Sequence, residues 1–545
     1  MTGSTAVGAV HARHLAIAPD IVVYTVADLQ SSHLVVKDDR SILVDCHTLE
    51  IRDWIEAIGL PLPDKILHTH VQPEHCRESD GFPAAEILVH EELRELASDP
   101  EAYARNTSTH WENPAEWPTT MGRETYGIGG SITVLPPEQP LAVSHTFRGG
   151  DELEWNGLQF RVIPLPGHSR HHCGFLMERE GQAWCLFSGD LIRNDARLVN
   201  VYDLEDAYGS TSLASQSEVL TLAASLEVDY FLPSTGPVIA NGRTQARDLS
   251  HAIRQYEEAL RWTSGAFHAL KVPEPEPVGR YHRVADGVYQ MGGFGNCIVF
   301  IDGQGRGLMV DPGPCDYEND SREQSFLDDL ELLEREAGLR EIEVAMVTHF
   351  HGDHYDMAPA LETRYPACRL AAWSLVADVI EDPHAFPYGC RLPWYDVNAP
   401  VISVDDRLEI GKPYYWNGIE IETMHLPGHC FVHAAYFLVF SDRRIAITGD
   451  TVQGRGDAAG LEFIISNHCV PDARAGSLKS YTALAGRDVD LNIGGHGSCF
   501  TNCTAVYTES VKRIEHALPF LRRLVPHGDL EPAFVRPWFP KLQVD

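Results

Sequence analysis

The segment His349-Phe350-His351-Gly352-Asp353-His354 places four potential metal ligands within six residues. Imidazoles and carboxylates with no thiolate among them suit Zn²⁺, Fe or Mn. Four such groups cannot all face one point from a helix or an extended strand. A tight loop is therefore expected, with Gly352 supplying its conformational freedom. The apolar run 344–347 reads as the strand leading into it. Three more polar residues each follow a short apolar run. His429 comes after 419–426 and Pro427-Gly428, Asp450 after 445–447 and Gly449, and His496 after 491–493 and Gly494-Gly495. Strand ends that gather polar groups at one rim of a sheet are a common way to assemble a site. Two cations about 3.5–4 Å apart there could share a hydroxide and supply a nucleophile near neutral pH. Hydrolysis would then need no Ser or Cys nucleophile, and the sequence contains no G-x-S-x-G motif.

The elements that must position these groups occur twice. Trp155-Asn156-Gly157, Leu165-Pro166-Gly167-His168 and Ser188-Gly189-Asp190 recur as Trp416-Asn417-Gly418, Leu426-Pro427-Gly428-His429 and Thr448-Gly449-Asp450, in the same order. Upstream, Leu43-Val44-Asp45 matches Met309-Val310-Asp311, and Thr69-His70 matches Thr348-His349. Shared order predicts two homologous α/β domains in tandem, at 1–272 and 280–545. The Pro/Glu stretch 273–279 reads as their linker, since such a segment forms neither a helix nor a central strand. Amphipathic runs at 243–263 and 506–524 read as the closing helices. Asp286-Gly287 reads as a turn between two strands of the second domain.

The ordered set in the second domain is a strand-end Asp311, the H-x-H-x-D-H loop, Pro427-Gly428-His429, Gly449-Asp450 and the late His496. This set resembles the metallo-β-lactamase superfamily across essentially the whole second domain. The resemblance implies an αββα sandwich holding two divalent metal ions, with Zn²⁺ expected and Fe or Mn as alternatives. By it, His349, His351 and His429 hold one ion, and Asp353, His354 and His496 the other, with Asp450 bridging. Asp311 would orient the loop from behind the ligands, and His433, the second His of a P-G-H-x-x-x-H pattern, would support them. Asp353 and Asp450 are the expected catalytic carboxylates, Asp353 accepting a proton or steering the nucleophile. The implied activity is hydrolysis of a small molecule: an ester, thioester, lactone, amide or phosphodiester. An iron-dependent, O₂-using enzyme of the same fold is the alternative, followed by an RNA-processing nuclease and a non-catalytic binding protein.

The first domain carries a damaged version. In Thr69-His70-Val71-Gln72-Pro73-Glu74-His75, Gln72 stands where His351 would, Glu74 where Asp353 would and His75 where His354 would. His168 and Asp190 are retained, while Thr235 takes the place of His496. Each ligand set has lost an imidazole. The expectation is a metal-free partner that supports the second domain or mimics a dimer within one chain. A single ion on His70, His75, His168 and Asp190, with His171 and His172 nearby, is the alternative.

Composition bounds the partners. The chain has 545 residues, with 78 Asp and Glu against 43 Lys and Arg, a formal net charge of −35. That balance opposes phosphate backbones and anionic membranes, so a small-molecule substrate is expected, with no nucleic acid and no membrane. No apolar run approaches the ~20 residues of a spanning helix, and residues 1–13 lack the pattern of a signal peptide. A cytoplasmic protein is expected. The twelve Cys include no C-x-x-C pair and read as thiols. Candidate substrate contacts are the aromatic insertion 384–395, Arg391, Arg455, His468 and Lys479.

Overall fold

The computed structural model describes residues 2–7, 10–27, 31–46, 50–71, 73–76, 78–99, 140–168, 171–198, 213–265, 270–291, 295–313, 322–382, 401–430, 432–452, 454 and 473–524. The chain divides into two compact units, Met1–Ala259 with Pro519–Gly528 and Leu260–Leu518 with Asp529–Asp545.

In the first unit, an eight-stranded sheet runs in chain order from Thr2–Val7 to Val143–Phe147. Its first five strands pair antiparallel and the remaining pairings are parallel. A five-stranded sheet follows, from Glu152–Trp155 to Tyr230–Pro233, antiparallel except at its last pairing. Successive strand residues point to opposite faces, and the core separates accordingly. Val35, Ile42, Leu67 and Leu88 join Phe160, Phe175 and Phe187 in a cluster between the two sheets. Their neighbours Leu34, Leu43, Ile66, Ile87 and Val89 pack with Ile51, Trp54 and Ile55 of helix Ile51–Ala57 on the other face. Two sheets with helices outside them are the result.

The second unit repeats this pattern. Its eight-stranded sheet runs from Glu276–Val278 to Asp406–Leu408, again with the antiparallel pairings first and the parallel ones last. Its five-stranded sheet runs from Pro413–Trp416 to Leu491–Ile493 with one closing parallel pair. The repeated W-N-G word is a hairpin turn in each unit. Asn156 and Gly157 have φ of 48° and 74°, and Asn417 and Gly418 have 49° and 81°, the backbone that two-residue hairpin loops require.

The expected 273–279 linker differs from what forms. Residues Glu276–Val278 make the edge strand of the second large sheet, pairing with Tyr281–Ala285. Pro277 is tolerated because an edge strand has a side that needs no donor. The expected helices span Gly242–Leu260 and Cys503–Leu524. Among the described residues no helix is long and apolar enough to cross a membrane, and no disulfide joins the described cysteines.

Candidate metal centre

In the second unit, strand Arg306–Val310 delivers Asp311, and its parallel neighbour Glu341–Val347 delivers Thr348 and His349. His351 is extended, and Gly352–His354 then closes into a single 3₁₀ turn, His354 N–H donating to the His351 carbonyl at 3.0 Å. Gly352 is not in the left-handed region, so the expectation that its unusual freedom makes the loop is corrected. The left-handed residue here is Asp311, with φ of 54°. From the second sheet, Ile419–His425 leads to His429, Arg443–Ile447 to Asp450, and Leu491–Ile493 to His496.

All seven expected ligands are buried and meet. His349, His351, His429 and Asp450 form one group, and Asp353, His354, Asp450 and His496 another, the donor atoms within each lying within 4.8 Å of one another. Asp450 belongs to both. His351 Nδ1 lies 3.0 Å from His349 Nε2 and 2.8 Å from His429 Nε2. His429 Nε2 is 3.4 Å from Asp450 Oδ2. In the second group, His496 Nε2 is 3.1 Å from both Asp353 Oδ2 and Asp450 Oδ2. His354 Nε2 lies 3.3 Å from Asp353 Oδ2 and from Asp450 Oδ1.

Hydrogen bonds behind the cluster fix which ring nitrogen faces it. Asp311 accepts from Thr348 N–H and from the Thr348 hydroxyl, both at 2.8 Å. With its proton committed, Thr348 Oγ1 accepts from His349 Nδ1–H at 3.0 Å, which leaves Nε2 unprotonated toward the cluster. Asp311 also accepts from His354 Nδ1–H at 2.9 Å, turning the other ring nitrogen inward. A carboxylate that orients several imidazoles in this way sets the tautomer a metal needs. His433 does not join the ligands; its Nε2 accepts from Asp450 N–H at 3.1 Å and so positions that carboxylate.

The electrostatics ask for a cation. Burial drives His349 well below the ordinary histidine range, and neighbouring imidazoles push it further. Burial also opposes protonation of His354 and His496, yet Asp353 and Asp450 overcome it. His354 rises well above its ordinary value, and His496 rises to about 9. The buried carboxylates thus favour positive charge beside them. Asp353 Oδ1, His354 Nε2 and Asp450 Oδ1 are buried without a hydrogen-bond partner. Orphaned donor atoms and converging lone pairs are what a divalent cation satisfies, so the residues present fit a pair of such ions.

Sequence reasoning missed three contributors. Thr348 was visible only as part of a repeated word. Asn296 donates its N–H to Gly495 O at 2.7 Å and its amide to Gly494 O and Gly497 O at 2.8 and 2.9 Å, fixing the loop that presents His496. At Gly495 a Cβ would fall on Asp450 Oδ1. The Gly-Gly-His-Gly word signalled that close approach, whereas nothing marked Asn296. Lys479 is exposed on helix Ala473–Ala485. The insertion 384–395, Arg391, Arg455, His468 and Gln72 lie outside the described residues, as does the side chain of Glu74.

In the first unit, His70, His75 and Asp190 form a third group of candidate ligands, with His168 beside it. His171 stacks on His90 instead, with ring centroids 5.4 Å apart.

Comparison with known proteins agrees with this geometry. Residues 291–496 match the family model described as the metallo-beta-lactamase superfamily. A hydroxyacylglutathione hydrolase of Rhodopseudomonas palustris (strain HaA2) is 32% identical over 107 residues, 20% of this chain and 32% of its own length. An atrochrysone carboxyl ACP thioesterase of Aspergillus chevalieri is 27% identical over 115 residues, 21% of this chain and 29% of its own. The chain thus matches about a third of the length of these curated relatives. The FEZ-1 metallo-beta-lactamase of Legionella gormanii aligns with a TM-score of 0.34 at 14% identity, over 46% of this chain and 98% of its own. Residues 291–496, where both ligand groups converge, thus match the metallo-β-lactamase superfamily and take up its fold.

Proposed function

We propose that the second unit is a metal-dependent hydrolase of a small acyl substrate, with thioesters the first class to test. The observation that carries the reading is the pair of ligand groups sharing Asp450. Two divalent cations held by His349, His351, His429, Asp353, His354, His496 and Asp450 would lower the pKa of water toward ~7 and polarise a substrate carbonyl. Asp311 and Thr348 keep His349 and His354 in the required tautomers. Asp353, with one oxygen lacking a hydrogen-bond partner, would orient the attacking water or take its proton. His433 and Asn296 hold Asp450 and the His496 loop in place. Thioesters are preferred because two relatives bear the names hydroxyacylglutathione hydrolase and ACP thioesterase. We also read the two units as copies of one fold, which the shared strand order and pairing support.

The test is elemental analysis of aerobically and anaerobically purified protein, followed by thioester, ester, lactone, amide and phosphodiester substrates. Two equivalents of divalent metal in the second unit are expected, with turnover that a chelator abolishes while circular dichroism stays unchanged. Stoichiometric iron with O₂ consumption and no hydrolysis would replace hydrolysis by oxygen chemistry.

A further inference from the structure

We propose that the first unit holds one divalent transition-metal ion, with Zn²⁺ preferred, through His70 Nε2, His75 Nε2, His168 Nε2 and Asp190 Oδ2. Its four protein ligands would close the site, which makes its role structural where the second unit's is hydrolytic. This goes beyond the hydrolase reading and does not depend on it.

The four side chains come from three separate stretches of chain and converge on one carboxylate oxygen. Asp190 Oδ2 lies 2.9 Å from His75 Nε2, 3.7 Å from His168 Nε2 and 3.9 Å from His70 Nε2. Ligand atoms around a tetrahedral Zn²⁺, with bonds of about 2.0–2.1 Å, stand about 3.3–3.4 Å apart. The three distances bracket that value, and two of them are too long for hydrogen bonds. All four residues are buried, His168 being the most exposed at 7%. Three imidazoles around one carboxylate give a donor set that suits Zn²⁺.

The supports behind His70 and Asp190 are intact, while His75 Nδ1 stands 3.9 Å from Asp45 Oδ2. Thr69 donates its hydroxyl to Asp45 Oδ2 at 2.8 Å and accepts from His70 Nδ1–H at 2.9 Å, leaving Nε2 toward Asp190. His172 donates from Nδ1 to Leu165 O at 2.9 Å and accepts Asp190 N–H on Nε2 at 3.0 Å. It therefore positions Asp190 without being a ligand, as His433 does for Asp450. Metal-binding histidines characteristically have their second nitrogen committed in this manner.

The same geometry limits the count to one. Thr235 donates its hydroxyl to Asp190 Oδ1 at 2.8 Å. In the second unit the corresponding oxygen of Asp450 faces His354. Asp190 thus turns its other oxygen toward the three imidazoles, and with Thr235 standing where His496 does in the second unit, the donors that remain suffice for one ion. The set combines counterparts of both groups of the second unit, since His70 and His168 match His349 and His429 while His75 matches His354.

The test uses the full chain with His349→Ala, His354→Ala and Asp450→Ala, which strips both groups of the second unit. After equilibration with Zn²⁺ and removal of excess, elemental analysis is expected to return one equivalent. Co²⁺ loading should give the intense visible bands of a tetrahedral site. Adding His70→Ala and His168→Ala should remove the metal and the bands. Absence of metal from the triple variant, or metal that survives the added changes, overturns the proposal. Should the triple variant not fold, the otherwise unaltered chain carrying His168→Gln is compared with the parent. The loss of one equivalent is expected there, and an unchanged stoichiometry overturns the proposal.

Discussion

Placed side by side, the two units keep the same frame and differ in what the frame presents. Asp45 and Asp311 end equivalent strands with φ of 53° and 54°, and each accepts two hydrogen bonds from the Thr that precedes the first His. The loop carrying the last ligand is tied back by equivalent bonds: Ser31 N–H to Ser234 O in one unit, Asn296 N–H to Gly495 O in the other. Within that frame the residues differ. Asn296 satisfies both Gly494 O and Gly497 O, whereas the first unit divides the work between His33, on Pro233 O, and Ser31, on Gly236 O. His33 opposes Val44, just before Asp45, where the second unit has Ile298 opposite Val310. A polar ring thus stands in an apolar position. The difference teaches that orienting a ligand and being a ligand are separable properties of this fold.

Breaking the ligands should have the largest and most one-sided effect. His429→Ala is expected to remove metal from the second unit and lower kcat/KM by about three orders of magnitude. Gln72→Ala in the first unit should leave turnover within about twofold. If Gln72→Ala is the inactive variant, the working unit has been misassigned. Next comes the frame. Asp311→Asn can no longer accept from every partner and should weaken metal binding by about 10–100-fold, measured by competition with a chromophoric chelator. Asp45→Asn should leave that affinity unchanged.

A third effect comes from His33 of the first unit. Burial pushes His33 down to about 4 from 6.5, against the raising pull of Pro233 O and Asp45. The folded form therefore holds the ring neutral, donating to Pro233 O and accepting from Thr25, while the unfolded chain protonates it near 6.5. The contribution is fully present above 6.5 and drains away as pH falls toward 4. Between pH 7 and 5 it should cost about 2 kcal/mol of unfolding free energy, read by urea titration of the metal-free chain. His33→Gln, which keeps a donor but cannot titrate, should remove this share of the slope and leave that of His172 and His433, which burial also lowers. The smallest effect is expected from Asn296→Ser, which places the first unit's residue in the second. Losing the bond to Gly494 O should cost about 1 kcal/mol, seen as an earlier urea midpoint, and an unshifted midpoint would remove Asn296 from the frame.

Much of this was legible because ligands are chemically distinctive. The H-x-H-x-D-H word, the order of His429, Asp450 and His496, and the repeat identified the cluster before any coordinates. The frame was harder to see. Asn296 works through carbonyls distant in sequence, and an asparagine at a strand start carries no pattern that announces such a task. Gly352 was read as the hinge because glycine usually marks left-handed backbone, yet the strain sits on Asp311, whose carboxylate compensates through bonds that only the fold reveals. Edge strand Glu276–Val278 was hidden by Pro277 and the two prolines before it, residues that disqualify a central strand but not a border one.

A non-glycine residue held at positive φ costs the chain roughly 1–2 kcal/mol, and Asp45 bears that cost in a unit whose ligand sets are incomplete. The strain is thus a structural expense, since the side chain it aims fastens one strand end to the start of the next loop. Such a clasp forms whether or not the loop beyond it carries the full ligand set. Imidazoles introduced at positions 72 and 235 would therefore join a chain whose Asp45–Thr69 fastening is already made.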